Sequence, residues 1–267
     1  MIFYSSFQHS YLWLPLIGFA VGLTATMIGG GGGFFFPPAL ILFFQTEAHV
    51  AVATSLAATL PICFTGAIGH YRHGNLDLHK GLIFGIAGII GAVAGALVTG
   101  LLSTDQLKTA FGIYSLILGT IMVCNNHPRR KGESEPVTNN GYVKNIFRRL
   151  PKGSFYGFAG GMISGTFGTS GTAPVLAGLF AIKTPIRLVA GTSLMIIFIN
   201  TISALTGHLF LGMIDLTLVW LLSSGAVLGS IAGPRLTKGM DFEKREGLIK
   251  HTFAYIVILF GMIMLLT

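Results

Sequence analysis

Two glycine-rich stretches of the chain carry the groups that a small-anion site needs. The first, IGGGGGFFFPP, covers residues 28–38, and the second, FGTSGTAPV, covers residues 167–175. Glycines let successive backbone N–H groups turn toward one point, and a helix that starts after them presents the positive end of its dipole. In the second stretch, Thr169, Ser170 and Thr172 add hydroxyl donors. Together these groups predict a ring of donors around a small anion.

Both stretches interrupt segments that are otherwise apolar enough to be helical. Glycine destabilises a helix by about 1 kcal/mol relative to alanine, and proline by about 3 kcal/mol. Close helix packing explains isolated glycines, and the clearest candidates for that role are Gly91, Gly95, Gly229 and Gly233. Packing does not explain the prolines that follow the two clusters, Pro37 and Pro174. We therefore interpret both stretches as functional breaks in membrane helices.

The composition predicts that these breaks lie in a lipid bilayer. Of the 267 residues, 52% are hydrophobic and only 10% are charged, against about 25% charged in soluble domains. Most apolar segments approach the roughly 20 residues that cross a bilayer as a helix. No β-barrel alternation is present, so an all-α integral membrane protein is predicted. The segments are 11–29, 33–45, 48–71, 80–102, 107–124, 153–181, 186–211, 214–234 and 249–267.

The chain repeats itself. Shifting it by 138 residues aligns Thr54-Ser55 with Thr192-Ser193 and His70 with His208, within an ungapped match from Thr54 to Gly95. The two glycine-rich stretches then fall opposite each other. We predict a first transmembrane repeat over 1–124 and a second over 153–267. The basic segment 125–152 joins them, either as a plain linker or with an interfacial helix over 142–150.

The distribution of basic residues predicts that the repeats have inverted topology. Lysine and arginine concentrate in cytoplasmic loops, which places 125–152 and 235–250 on the same, cytoplasmic side. The two basic segments can share a side only if 153–181 enters the membrane and returns to the side from which it came. If 11–45 also enters and returns, the N-terminus lies outside. Each half then has a broken pair, re-entrant or made of two short spans, plus three transmembrane helices. Both termini are predicted to be external, in a multi-pass cell membrane protein.

The matching breaks predict where a substrate binds, because paired Gly/Pro interruptions mark the sites of transporters built from inverted repeats. The hydroxyl pairs that the repeat places at one depth complete the site. The candidate binding residues are Gly29, Gly30, Gly31, Gly32, Gly33, Pro37, Thr54, Ser55, Gly168, Thr169, Ser170, Gly171, Thr172, Pro174, Thr192 and Ser193. Candidates for gating or proton coupling are His70, His208 and Asn200, although a capping role would also explain the histidines.

Charge and metal-ligand patterns narrow the chemistry further. The formal net charge is +8, but the basic residues lie in short loops, so orientation in the membrane explains them and nucleic-acid binding is not predicted. The carboxylates Glu47, Asp77, Asp105 and Asp215 all fall near segment ends, and the absence of a central one favours an anionic substrate. The two cysteines, Cys63 and Cys124, have no metal-ligand spacing. No cofactor or metal is predicted.

A passive anion channel and an intramembrane serine protease are the rival interpretations. GTSG at 168–171 resembles the G-x-S-G of rhomboid-type proteases, with Ser170 as nucleophile and His208 as the conceivable base. The motif is short in a chain with 37 glycines, and the position equivalent to Ser170 in the first half is a glycine. The protease is therefore the weaker rival.

The motifs also carry a family resemblance. GLTATMIGGGGGFFFPPALI (22–41) followed by AVATSLAAT (51–59), and GMISGTFGTSGTAPVL (161–176) followed by AGTSLMIIFIN (190–200), resemble the sulfite exporter TauE/SafE family, also called TSUP. The resemblance implies an inner-membrane transporter of sulfite, thiosulfate, organosulfonates or carboxylates. Such a transporter could use a proton or a sodium ion as its coupling ion. It could also form a homo-oligomer. GTSGT stands where the family more often has a glycine triplet.

Overall fold

The computed structural model describes residues 2–124, 139–211, 214–237 and 242–266. The first half contains a short 3-10 helix, His9–Trp13, and helices α1 Leu14–Ile28, α2 Phe36–Phe44, α3 Ala48–Arg72, α4 Leu78–Leu101 and α5 Thr104–Cys124. The second half contains α6 Asn139–Phe167, α7 Thr172–Ala181, α8 Ile186–Leu211, α9 Leu216–Thr237 and α10 Phe242–Leu266. Residues 125–138 of the predicted linker lie outside the described residues, and 142–150 belong to α6.

The helices confirm the all-α integral membrane prediction. Within the described ranges, six helical stretches are long and apolar enough to cross a membrane: His9–Met27, Ala48–Arg72, Leu78–Leu101, Thr104–Cys124, Ile186–Phe210 and Leu216–Gly233. Helices α2 and α7 are much shorter, with 9 and 10 residues. At 1.5 Å per residue they reach only about 14 and 15 Å, half of a bilayer core.

Each glycine-rich stretch turns the chain back on itself. Gly29 ends α1 with a φ of +79°, a left-handed conformation that favours glycine. The returning α2 brings Phe44 to within 5.8 Å of Tyr11, centroid to centroid, at the start of the pair. Gly168 has a φ of +66° at the end of α6, and α7 returns until Gly178 lies against Tyr156. Both pairs are therefore hairpins.

The two halves interlock through exchanged contacts. Helix α1 packs along α9 as α6 packs along α4, while α3 lies against α8 and α5 against α10. At these crossings, a Cβ on Gly91 would overlap the carbonyl oxygen of Phe158, and one on Gly229 that of Phe19. Gly95 and Gly233 contact α6 and α1 in the same way, so the packing role predicted for all four glycines is confirmed. The inverted orientation of the halves in the membrane stays a prediction.

Apolar clusters support the hairpins on either side. Leu40 of α2 is buried in one cluster with Ile62 and Leu222, and Leu179 of α7 is buried in another with Phe84 and Ile196. The repeat relates Phe84 to Leu222, and both clusters include a leucine of the returning helix. The core therefore fixes both breaks at the centre of the molecule.

A contact at the N-terminus was not predicted by the sequence. Residues Ile2–Phe3 form a two-residue strand, β1, parallel to β2, Ile214–Asp215. The backbone N–H of Ser5 donates to Asp215 Oδ1 at 3.3 Å, and the Thr217 hydroxyl donates to the Ser5 carbonyl at 3.0 Å. The N-terminus is thus tied to the segment that precedes α9.

Candidate functional site

The two breaks are in direct contact at the centre of the fold. The hydroxyls of Ser170 and Thr172 both lie 2.6 Å from the carbonyl oxygen of Gly30, and 2.7 Å from each other. Each hydroxyl has one hydrogen, so two hydrogens serve three contacts. The prediction that the breaks of the two halves face each other matches this arrangement.

Close contacts surround Gly31, Gly33 and Gly171, where an added side chain would meet the other break or α6. Gly31 has a φ of +65°, and a Cβ there would lie 3.1 Å from Ser170 Cβ. A Cβ on Gly33 would lie 2.9 Å from the Ser170 backbone nitrogen, and one on Gly171 would overlap the Gly160 carbonyl oxygen. Gly30 is more open, because its added Cβ would meet nothing closer than Thr172 Cγ2 at 3.6 Å.

A serine from each half holds the break of the other half. The hydroxyl of Ser55, on α3, donates to the Gly168 carbonyl at 2.8 Å and lies 3.3 Å from the Gly33 carbonyl. The hydroxyl of Ser193, on α8, donates to the Gly29 carbonyl at 2.6 Å. Both serines are fully buried. Carbonyls that a broken helix leaves unpaired are satisfied in this way, which lipid could not do.

The neighbouring threonines have a different position. Thr54 Oγ1 accepts a hydrogen bond from the Asp215 backbone N–H at 3.2 Å, and Thr192 Oγ1 accepts one from the Asp77 N–H at 2.9 Å. Asp215 and Asp77 in turn accept from backbone N–H groups at the starts of α9 and α4. In this arrangement the serines reach the breaks, while the threonines hold the segments that precede α9 and α4.

The two prolines stand in the first turns of the returning helices. Pro37 is the second residue of α2, and Pro174 is the third residue of α7. The first turn of a helix leaves its N–H groups unpaired, so proline costs nothing there. The prolines therefore stand where the returning helices start. Gly32, with a φ of +75°, completes the first turn-back.

The paired histidines bind equivalent carbonyls just before the breaks. His208 Nε2 lies 2.6 Å from the Gly165 carbonyl oxygen, and His70 Nε2 lies 3.5 Å from that of Thr26. A carbonyl only accepts, so Nε2 carries a hydrogen in both contacts. Each histidine is thus joined to the last turn of α6 or α1, which is where a gate on the break would act.

Several buried polar side chains around the breaks have no hydrogen-bond partner. They include the hydroxyls of Thr59 and Thr169 and both amide atoms of Asn200. Thr59 Oγ1 lies 2.8 Å from the Cβ position of Gly33, and Asn200 Nδ2 lies 3.7 Å from that of Gly160. An unsatisfied buried polar group costs about 1–3 kcal/mol, so water or a ligand is expected beside it. The two hydroxyls and Asn200 Nδ2 are donors without a partner at the site, and Asn200 Oδ1 is an acceptor without one.

Sequence reasoning missed Thr59, although a signal was present. Thr59 follows Ser55 by four residues on α3, and residues at that spacing lie on one face of a helix. Ser164 and Thr201 are also buried without a partner on α6 and α8.

No group of three His, Cys, Asp or Glu side chains in the described ranges is arranged to hold a metal ion. The donors at the breaks are neutral, which suits an anion.

The geometry gives no support to a serine nucleophile. Ser170 shares its hydroxyl with Gly30 and Thr172, whereas His208 is joined to the Gly165 carbonyl, and the two make no hydrogen bond to each other. A serine hydrolase needs its base within hydrogen-bond reach of the nucleophile.

Known proteins resemble this chain over nearly its whole length. The family model described as "Sulfite exporter TauE/SafE" matches residues 14–264. "Probable membrane transporter protein YdhB" of Bacillus subtilis (strain 168) is 28% identical over 227 residues, which cover 84% of this chain and 89% of that protein. YunE of the same organism, with the same description, is 25% identical over 94% of this chain and 96% of its own. A probable membrane transporter protein of Xylella fastidiosa (strain 9a5c) is 25% identical, covering 91% and 88%.

Proposed function

Because the chain belongs to the sulfite exporter TauE/SafE family of membrane transporters, we propose that it carries a small anion through the junction of its two breaks. The cargo is a sulfur-containing anion such as sulfite, thiosulfate or an organosulfonate, or a carboxylate. The observation that carries the proposal is the contact of Ser170 and Thr172 with Gly30, beside the unpartnered hydroxyls of Thr59 and Thr169.

An anion would compete for hydroxyl donors that now form hydrogen bonds within the protein. Ser170 and Thr172 converge on one neutral carbonyl oxygen. A charged oxygen is a stronger acceptor than a neutral one, so an anion would draw both hydroxyls away from Gly30. Thr169 and Asn200 would contribute donors that have no present partner. Binding would therefore loosen the bridge between the two breaks.

This exchange suggests a mechanism of alternating access. The breaks belong to different halves, and a few side-chain hydroxyls hold each break to the other half, among them those of Ser55 and Ser193. A net hydrogen bond contributes only about 1 kcal/mol, so these contacts are easily remade as the halves rock. His70 and His208 are the proposed gates, since each is joined to the helix turn before a break. A proton or sodium ion would be the coupling ion.

Flux in proteoliposomes tests the proposed function. Vesicles with purified protein should take up radiolabelled sulfite, thiosulfate, sulfoacetate or acetate with saturation, and chloride slowly. Unlabelled anion inside should accelerate uptake, which a passive channel does not do. Empty vesicles and vesicles with Gly31→Val protein are the controls. Uptake of all these anions no faster than in empty vesicles would exclude the proposal, and unsaturable flux without exchange would favour the channel.

The proposed topology has its own test. In a protein whose Cys63 and Cys124 are replaced by alanine, Ser6→Cys should react with a membrane-impermeant thiol reagent from outside intact cells, because Ser6 is exposed near the N-terminus. Thr138→Cys, in the basic linker, should react only after the membrane is opened. Ser5 is unsuitable, since its hydroxyl is buried. Labelling of both positions from the same side would contradict the inverted arrangement.

A further inference from the structure

A shallow recess opens between α2, α3 and α5. Its lining includes Pro37, Val52 and Phe111, and ends at Phe167. Most of the wall is apolar, and Lys108 is the charged side chain among its lining residues. The starts of α3 and α5 lie on the side that the charge rule predicts to be external.

The recess borders the first break at Pro37 and ends at Phe167, next to the second break. Pro37 stands at the start of α2, directly after the first break, and Phe167 is the residue before Gly168. The Val52 carbonyl oxygen lies 2.6 Å from the Cβ position of Gly168. The Phe167 ring packs on Phe111, with centroids 5.7 Å apart, and stacks on Tyr114 at 5.1 Å. These aromatic rings separate the recess from the second break.

The rule that lysine and arginine concentrate in cytoplasmic loops does not explain the position of Lys108. It is the fifth residue of the membrane-spanning stretch Thr104–Cys124, on the predicted external side, where basic residues are disfavoured. In the described part of the chain, the ion pairs found are Lys80 with Asp77 and His49 with Glu47, and neither involves Lys108. An ionisable residue within a membrane span is rare, and it is by default a candidate for a functional role.

The repeat relates Lys108 to a second lysine, Lys250, whose charge the same rule does explain. LKTAF (107–111) matches IKHTF (249–253) at a shift of 142 residues. The packing of α5 on α10 follows the same shift, because Gly119 faces the Ala254 carbonyl and Gly261 faces the Gly112 carbonyl. The side chain of Lys250 is outside the described residues, and its predicted cytoplasmic position accounts for its charge. The same rule leaves the charge of Lys108 unexplained.

We propose that this recess is the external access path to the site between the breaks, and that the Lys108 ammonium draws the anion into it. The inference rests on the proposed function. A single cation in a recess with low-dielectric walls raises the local concentration of anions. The anion is then held beside Phe167. Movement of the Phe167 ring, together with the end of α6, lets the anion reach Ser170 and Thr172.

Uptake kinetics of Lys108 variants test the charge. With radiolabelled sulfite and thiosulfate outside, Lys108→Gln should raise KM about tenfold at low salt, with little change in the maximal rate, and the rise should shrink at high salt. Lys108→Arg should behave like the unaltered protein. Arg187→Gln, which removes an exposed cation far along the chain at the start of α8, is the matched control and should leave KM unchanged. A KM for Lys108→Gln equal to that of the unaltered protein would overturn the role of the lysine.

Thiol labelling tests the path without relying on transport. Lys108→Cys, in the background without Cys63 and Cys124, should react with an impermeant reagent from outside, and an aminoethyl reagent, which restores a positive charge, should lower KM again. No labelling from outside would overturn the access path whatever the flux. Labelling from outside without any anion flux by the unaltered protein would instead contradict the proposed function.

Discussion

Gly31→Val should abolish anion flux while the protein remains folded in the membrane. Gly31 has a φ of +65°, where a β-branched residue is strained by roughly 1–2 kcal/mol. The atoms that a Cβ would meet belong to side chains and not to the backbone: Ile197 Cγ2 at 2.9 Å, Cys63 Sγ at 3.0 Å and Ser170 Cβ at 3.1 Å. Side chains can shift where a packed backbone cannot, so we expect the protein to fold. The two methyl groups of valine, however, occupy the junction where the anion must bind.

The expected loss of flux exceeds about a hundredfold, which corresponds to roughly 3 kcal/mol of lost binding or activation free energy. Flux is measured in proteoliposomes, and insertion and folding by membrane yield and a single symmetric peak in detergent. Gly30→Ala is the matched control. Its φ is not positive and its Cβ would stand 3.6 Å from Thr172 Cγ2, so flux should fall by less than about threefold. Normal flux in Gly31→Val would remove the junction from the transport path.

The position of the breaks followed from the sequence because their cause is local. Glycine clusters before proline cannot continue a helix, and Gly29 and Gly168 take the left-handed conformation that this implies. Their partnership was predicted from the repeat, because the two stretches fall opposite each other when the halves are aligned. The contact of Ser170 with Gly30 is the consequence.

Which side chains reach the breaks depended on helix rotation, which the repeat does not specify. Thr54 and Ser55 are adjacent, and adjacent helical residues point about 100° apart. Only one of the two can face a break, and it is Ser55 that donates to the Gly168 carbonyl. Thr54 instead accepts from the Asp215 N–H. Similarly, no sequence motif singles out Lys108, and only the packing of α2, α3 and α5 places it beside a recess.

Glycines at the helix crossings should show the opposite behaviour from Gly31. We expect Gly91→Leu and Gly229→Leu each to prevent accumulation of folded protein. An added Cβ would overlap the Phe158 carbonyl oxygen in one case and the Phe19 carbonyl oxygen in the other. The backbone of a packed helix cannot shift locally to make room. The leucine would therefore separate α4 from α6 in one variant and α9 from α1 in the other.

The pair also measures how evenly the two halves share the fold. Gly91 and Gly229 are related by the repeat and sit in exchanged contacts, so the loss of folded protein should be similar for both. Thermal unfolding in detergent and the yield of monodisperse protein provide the comparison. Gly74→Asn is the control, because no atom lies within 4 Å of the Cβ position of Gly74 and asparagine tolerates its φ of +68°. If only one leucine variant is lost, the two crossings contribute unequally to the stability of the fold.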